Sequence, residues 1–150
     1  MCLNVITTFN TKRREKQIKT ERTLLKEISI KMLQESVRRH FGYIKVQGGV
    51  FMQQGFDEAC FDVAIEAYLL GGKVSKFGYS GEDEKLVKKR CEEEMKHFID
   101  TLYNFWLYWS EMGVSNQVDE SFYYCCEHYV ETWWSEGYEK GIKRHKLRLN

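Results

Sequence analysis

The chain of 150 residues contains no proline. That removes the commonest helix breaker and argues against a loop-rich all-β fold. No stretch approaches the roughly 18 apolar residues that a membrane helix needs. The opening, MCLNVITTFNTKRRE, has no apolar run of signal length before its charges. Cysteine occurs five times, at Cys2, Cys60, Cys91, Cys125 and Cys126, without a CxxC pair or a ladder of ligand spacings. An odd count without a signal peptide reads as reduced, buried thiols in a cytoplasmic protein. Cys125 and Cys126 point about 100° apart on a helix, so only one of them fits mid-core. A GxSxG turn, a glycine-rich phosphate loop and a Ser or Cys with a locally supported base are all missing. Nucleophilic catalysis is therefore unsupported, the chain leans away from being an enzyme, and no cofactor is expected.

What is present is 43% apolar, 30% charged and 15% aromatic. A chain of this length buries roughly 68–70% of its unfolded surface, enough for one core. No repeat, low-complexity tract or linker divides it, so residues 1–150 are expected to form a single helical domain. The net charge of +1 conceals a segregation. Residues 1–45 hold 11 Lys/Arg against 4 Asp/Glu, residues 46–136 hold 7 against 17, and residues 137–150 hold 5 against 1. Basic ends around an acidic middle either fold back onto it or face an anionic partner.

Apolar spacing predicts four main helices in an all-α antiparallel bundle. The first runs from Asn10 or Thr11 to about His40, ahead of Gly42. Leu25, Ile28 and Met32 form one seam; Ile30, Leu33, Val37 and Phe41 form a second, offset one. At 1.5 Å per residue it would be about 45 Å long, its polar opening turns overhanging the core. Residues 43–55 read as either a short hairpin about Gly48-Gly49 or an irregular loop. The second helix spans Phe56 to Leu70 and stops at Gly71-Gly72. Ser80 with Asp83 forms an acidic variant of the capping box. A third helix then runs from about Glu82 to Met112, with Val87, Cys91, Met95, Phe98, Leu102, Phe105 and Trp109 as its inner stripe. The fourth starts near Asn116–Asp119 and carries Phe122, Cys126, Tyr129, Val130 and Trp133 on toward Leu149.

Three constellations carry functional expectations. The basic first helix holds Lys12, Arg13, Arg14, Lys16, Lys19, Arg22 and Lys26, which wrap most of its circumference. It is a solvated or self-paired face, a protein contact, or a track for nucleic-acid phosphates, each contact releasing one counterion. The self-paired reading calls on acidic residues such as Glu82, Glu84 and Glu92–Glu94. Helices three and four carry more aromatic surface than one inward face hides. Trp106, Trp134 and Tyr138 are therefore candidates for a half-exposed interaction surface. Gly137 and Gly141, four apart, suit close approach of another backbone. A metal-dependent bundle enzyme would use Glu94, His97, His128 and Glu131, since di-iron bundles need Glu-x-x-His pairs facing inward. The wheel opposes it: His97 lies roughly 120° from the third helix's apolar stripe, and His128 is similarly placed.

The opening NVITTFNTKRREKQIKTERTLLKEISI and the closing WWSEGYEKGIKRHKLRLN resemble the YbaK-type family of short cytoplasmic proteins from Bacillus and related spore-formers. That family is a domain of unknown function, distinct from the tRNA-editing enzyme that shares its name. The resemblance implies a bacillar cytosolic protein with an association to sporulation, and it carries over no catalytic residue. The expected function is a non-catalytic protein-interaction or regulatory module that meets a protein partner or its own copy, with nucleic-acid binding through the first helix as the alternative.

Overall fold

The computed structural model describes residues 2–42, 49–110 and 119–149. They form six helices: α1 (Cys2–Leu25), α2 (Ile30–Phe41), α3 (Gly49–Tyr79), α4 (Glu84–Arg90), α5 (Glu92–Ser110) and α6 (Asp119–Leu149). There is no strand among the described residues. Residues 49–55, one arm of the expected hairpin, are helical; residues 43–48 lie outside the described residues.

Two of the expected helices are each broken in two, for reasons local to the sequence. The first ends at Leu25 and restarts at Ile30, where Ser29 caps the new helix by accepting a hydrogen bond from the Met32 N–H at 3.2 Å. The offset of the two seams marks this break. The second seam is the inner one, with Leu33, Val37 and Phe41 buried. Leu25 and Met32 of the first seam are exposed, as is Ile30. The third helix breaks at Cys91 inside the run KKRCEEE. Lys88, Lys89 and Arg90 occupy the last turn of α4 and Glu92–Glu94 the first turn of α5, so each charge cluster suits the helix end it occupies. The cap of α4 is Asp83; Ser80 instead donates its hydroxyl to the Lys76 carbonyl at 2.9 Å. Gly81 has φ +107°, a left-handed turn conformation open to glycine.

Gly71-Gly72 does not end a helix: α3 continues through both to Tyr79. The reason lies across the interface. A Cβ at Gly71 would run into the Trp134 carbonyl, one at Gly137 into the Tyr68 carbonyl, and one at Gly141 into the Ser75 side chain. Glycines on both helices thus let α3 and α6 meet backbone to backbone, and theirs is the most extensive helix contact of the fold. The two helices run parallel. Phe56 meets Phe122 at 6.1 Å between ring centres, the Tyr129 hydroxyl donates to the Cys60 carbonyl at 2.7 Å, and Tyr79 stacks on His145 at 5.4 Å.

Against this pair, α2 and α4–α5 run the other way. Trp133 Nε1 donates to Ser36 Oγ at 2.9 Å while Phe41 packs on Tyr129 and Phe122. Trp106 stacks on Phe122 at 4.6 Å while Lys88 sits over the Trp134 ring at 5.6 Å. The architecture is therefore a six-helix assembly around one parallel, glycine-faced pair rather than four long helices of equal standing.

Candidate interaction surface

The projecting element is α1. Residues 10–16 are exposed, as are Ile18 and Lys19, whereas Leu24 near the helix end is buried. Leu24 lies over Gly72 of α3, where a Cβ would come within 2.9 Å of its Cδ1. The connector that follows ties the base of α1 down. Glu27 accepts hydrogen bonds from the Tyr68 hydroxyl at 2.9 Å and from Arg144 at 2.8 Å, joining the connector to α3 and α6. Burial first, and then this bond to Glu27, raises the Tyr68 phenol well above its ordinary pKa, so it stays a donor.

At 100° per residue, Lys12, Lys16, Lys19 and Arg22 fall within an arc of about 120°, roughly opposite Leu24. Arg13 and Arg14 fall outside that arc, and Lys26 is exposed in the connector. Ile18 and Leu25, seven residues apart, share a line beside the cationic arc and are both exposed. A helix with a cationic face edged by apolar side chains suits a contact that combines charge with modest burial.

The expected aromatic surface is a correction. Trp106, Trp134 and Tyr138 are buried, at 7%, 0% and 7% exposure. The α3–α6 approach and the flanking helices enclose more ring surface than one helix face can, so the aromatic excess lines the core. Among the described residues, Tyr108 and Tyr124 are the exposed aromatics instead. Cys60, Cys91 and Cys126 are buried and Cys125 is half-buried, all as free thiols. Burial raises the first three, so they sit protonated and poorly nucleophilic. The Trp134 N–H, which makes no hydrogen bond of good geometry, lies beside the Cys91 thiol and partly offsets that rise.

Glu94 and His97 are exposed on α5. Glu131 pairs with Lys88 at 3.9 Å, and the exposed His128 lies against His40, ring centres 5.2 Å apart. Among the described residues, no three His, Cys, Asp or Glu side chains converge as a metal site. A groove of about 500 Å³ lies between α4, α5 and α6 over Met95 and Ile99. Its lysines, among them Lys85 and Lys89, alternate with Glu92 and Glu127, so neither sign of charge dominates. Among the described residues, no helix is long and apolar enough to cross a membrane.

His40, unlike the exposed His97 and His128, belongs to the interior. It is buried on α2 and donates from Nδ1 to the Ser36 carbonyl at 2.8 Å. Burial lowers its pKa; the Ser36 bond opposes this, and the neighbouring His128 and Arg39 charges add to it. The unfolded chain thus binds a proton that the folded chain resists. Stability contributed by neutral His40 is present above about pH 6.5 and is lost as pH falls toward the lowered folded value. Burial lowers His145 as well, and it acts in the same sense. The thermal midpoint is expected to drop between about pH 7.5 and 5.5, and to drop less in His40→Gln. Equal pH slopes for the two proteins would show that His40 titrates alike folded and unfolded.

A sequence model of the family described as protein of unknown function (DUF2521) matches residues 3–150. The chain is similar to a protein of Bacillus subtilis (strain 168) named uncharacterized protein YbaK. Identity is 31% over 152 residues, covering 96% of this chain and 97% of that one. The likeness read at the two ends thus extends along nearly the whole length. No solved structure matches.

Proposed function

The chain belongs to the family described as protein of unknown function (DUF2521), and we propose that it is a non-catalytic interaction module whose contact element is α1. One observation carries this reading: α1 meets the core at Leu24 while residues 10–16, Ile18, Lys19 and Arg22 stand exposed with a cationic arc and an apolar edge. The partner is an acidic protein surface, which the exposed Ile18 and Leu25 favour over bare phosphate. Phosphate tracking needs charge alone, whereas a protein contact also buries apolar side chains. Regulation by occupancy of this arm follows from the same reading. The free thiols Cys60, Cys91, Cys125 and Cys126 support a reducing compartment such as the cytosol.

The tryptophans whose side chains are described are buried, so the assay reads the probe rather than the protein. Anisotropy is measured for a labelled acidic amphipathic peptide and for single-stranded RNA of similar length, at physiological salt and above. The module predicts that the peptide binds and that RNA does not displace it. RNA binding tighter than the peptide, with log K falling by several units per tenfold salt, would replace this reading with the nucleic-acid one. Binding of neither probe would remove α1 as a contact element.

A further inference from the structure

We propose that a partner of α1 is a second copy of this chain, docked on the outer face of α3. The inference rests on α1 being a contact element. Its second support is α3 itself. Glu58, Asp62 and Glu66 recur every four residues along α3 and are all exposed. Ile65 and Leu69 lie within about 20° of Glu58 on the wheel and are half-buried beside the carboxylates. This face is the counterpart of α1: acidic where α1 is basic, and apolar along the same strip. Glu58 to Glu66 spans about 12 Å and Lys12 to Arg22 about 15 Å, so one arm covers one acidic strip.

The chain's own α1 does not settle the matter internally. Leu24 meets α3 at Gly72, beyond the acidic strip, and residues 10–16 remain exposed. In a two-fold dimer each copy supplies one arm and one strip, so the contact forms twice. The charge segregation of the sequence has the form such an exchange requires. A near-neutral chain built from a basic front and an acidic middle repels itself little while pairing its halves across copies.

Analytical ultracentrifugation of the full chain, over a concentration series at low and physiological salt, tests this. A monomer–dimer equilibrium that weakens as salt rises is expected. Reversing the arm (K12E/K16E/K19E/R22E) or the strip (E58K/D62K/E66K) should raise the dimer dissociation constant by about tenfold or more. All seven positions are exposed, and unchanged helical circular dichroism checks that both variants fold. Mixing the two variants restores both contacts with opposite charges and should recover a one-to-one dimer. A monomer at every concentration, a dimer surviving both reversals, or a mixture that stays monomeric would each overturn the inference. The same arm variant, assayed against the acidic peptide, separates this failure from failure of the broader reading. A monomeric wild type whose peptide binding is lost in the variant retires only the dimer, whereas unchanged peptide binding in the variant retires both.

Discussion

Gly137→Ala is expected to destabilise the protein by roughly 2–3 kcal/mol, although alanine in an ordinary helix interior would add about 1 kcal/mol relative to glycine. The new methyl group would meet the backbone of α3 at Tyr68, which has no rotamer through which to yield. The parallel pair would have to part locally, loosening the packing that encloses Trp134 and Tyr138. Gly71→Ala should behave alike, since its methyl group would meet the Trp134 carbonyl from the other side. Gly55→Ala is the control. Its Cβ would find only an ordinary contact, Phe105 Cζ at 3.6 Å, so the helix-propensity gain of up to about 1 kcal/mol should appear as stabilisation. Urea unfolding of the three variants reads the contrast. A Gly137→Ala protein as stable as the parent would mean that α3 and α6 are not held at backbone contact.

Trp134→Ala is expected to cost roughly 3–5 kcal/mol, the range for deleting a large buried aromatic. Trp134 is 0% exposed, stacks on Tyr138 at 5.0 Å and lies under the Lys88 ammonium. Its loss would leave a cavity bounded by the close helix pair, whose glycine contacts leave little slack for collapse. Tyr124→Ala, at a position 65% exposed, should stay within about 0.5 kcal/mol of the parent. Thermal unfolding with near-ultraviolet circular dichroism distinguishes the two. A mild effect at Trp134 would return that ring to the surface role its sequence neighbours suggest.

Helical character was legible because apolar spacing is a local property. Phe56, Cys60, Val63 and Ala67 repeat on one side of α3, and all are buried. The exposure of the middle of α1 was also legible, since Lys12 to Arg22 hold nothing apolar except Ile18, and residues 10–16 are exposed; the helix itself starts earlier than its polar run suggests, at Cys2. The spacing of Gly137 and Gly141 shows sites of close approach, as the structure has them, but not the partner. The glycines opposite them, Gly71 and Gly72, look locally like a helix stop. Only the tertiary contact shows why α3 tolerates them. The breaks at Ser29 and Cys91 did have sequence signals, an offset between seams and a basic run meeting an acidic one. Unbroken apolar periodicity on either side masked both.

The burial of Trp106, Trp134 and Tyr138 escapes the sequence for a different reason. Counting rings against one inward face assumes helices at ordinary spacing with one buried stripe each. The glycine-faced pair changes that geometry, letting Trp133 and Trp134, adjacent in sequence, both be buried. The link of Glu27 to Tyr68 and Arg144 was not legible either, because it joins residues far apart in the chain. The cationic run from Lys12 to Arg22 is visible in the sequence, but the narrower arc of Lys12, Lys16, Lys19 and Arg22 depends on where α1 ends and on which side carries the buried Leu24.

A contact role for α1 requires its cationic arc. The most direct measurement is the affinity of the acidic amphipathic peptide for the parent chain and for a Lys12→Ser, Lys16→Ser, Lys19→Ser, Arg22→Ser variant, side by side at physiological salt. The predicted result is a loss of about tenfold or more in affinity at unchanged thermal stability, because these side chains are exposed and face away from the Leu24 contact. Equal affinity of the two proteins would contradict it and place the contact surface elsewhere on the fold.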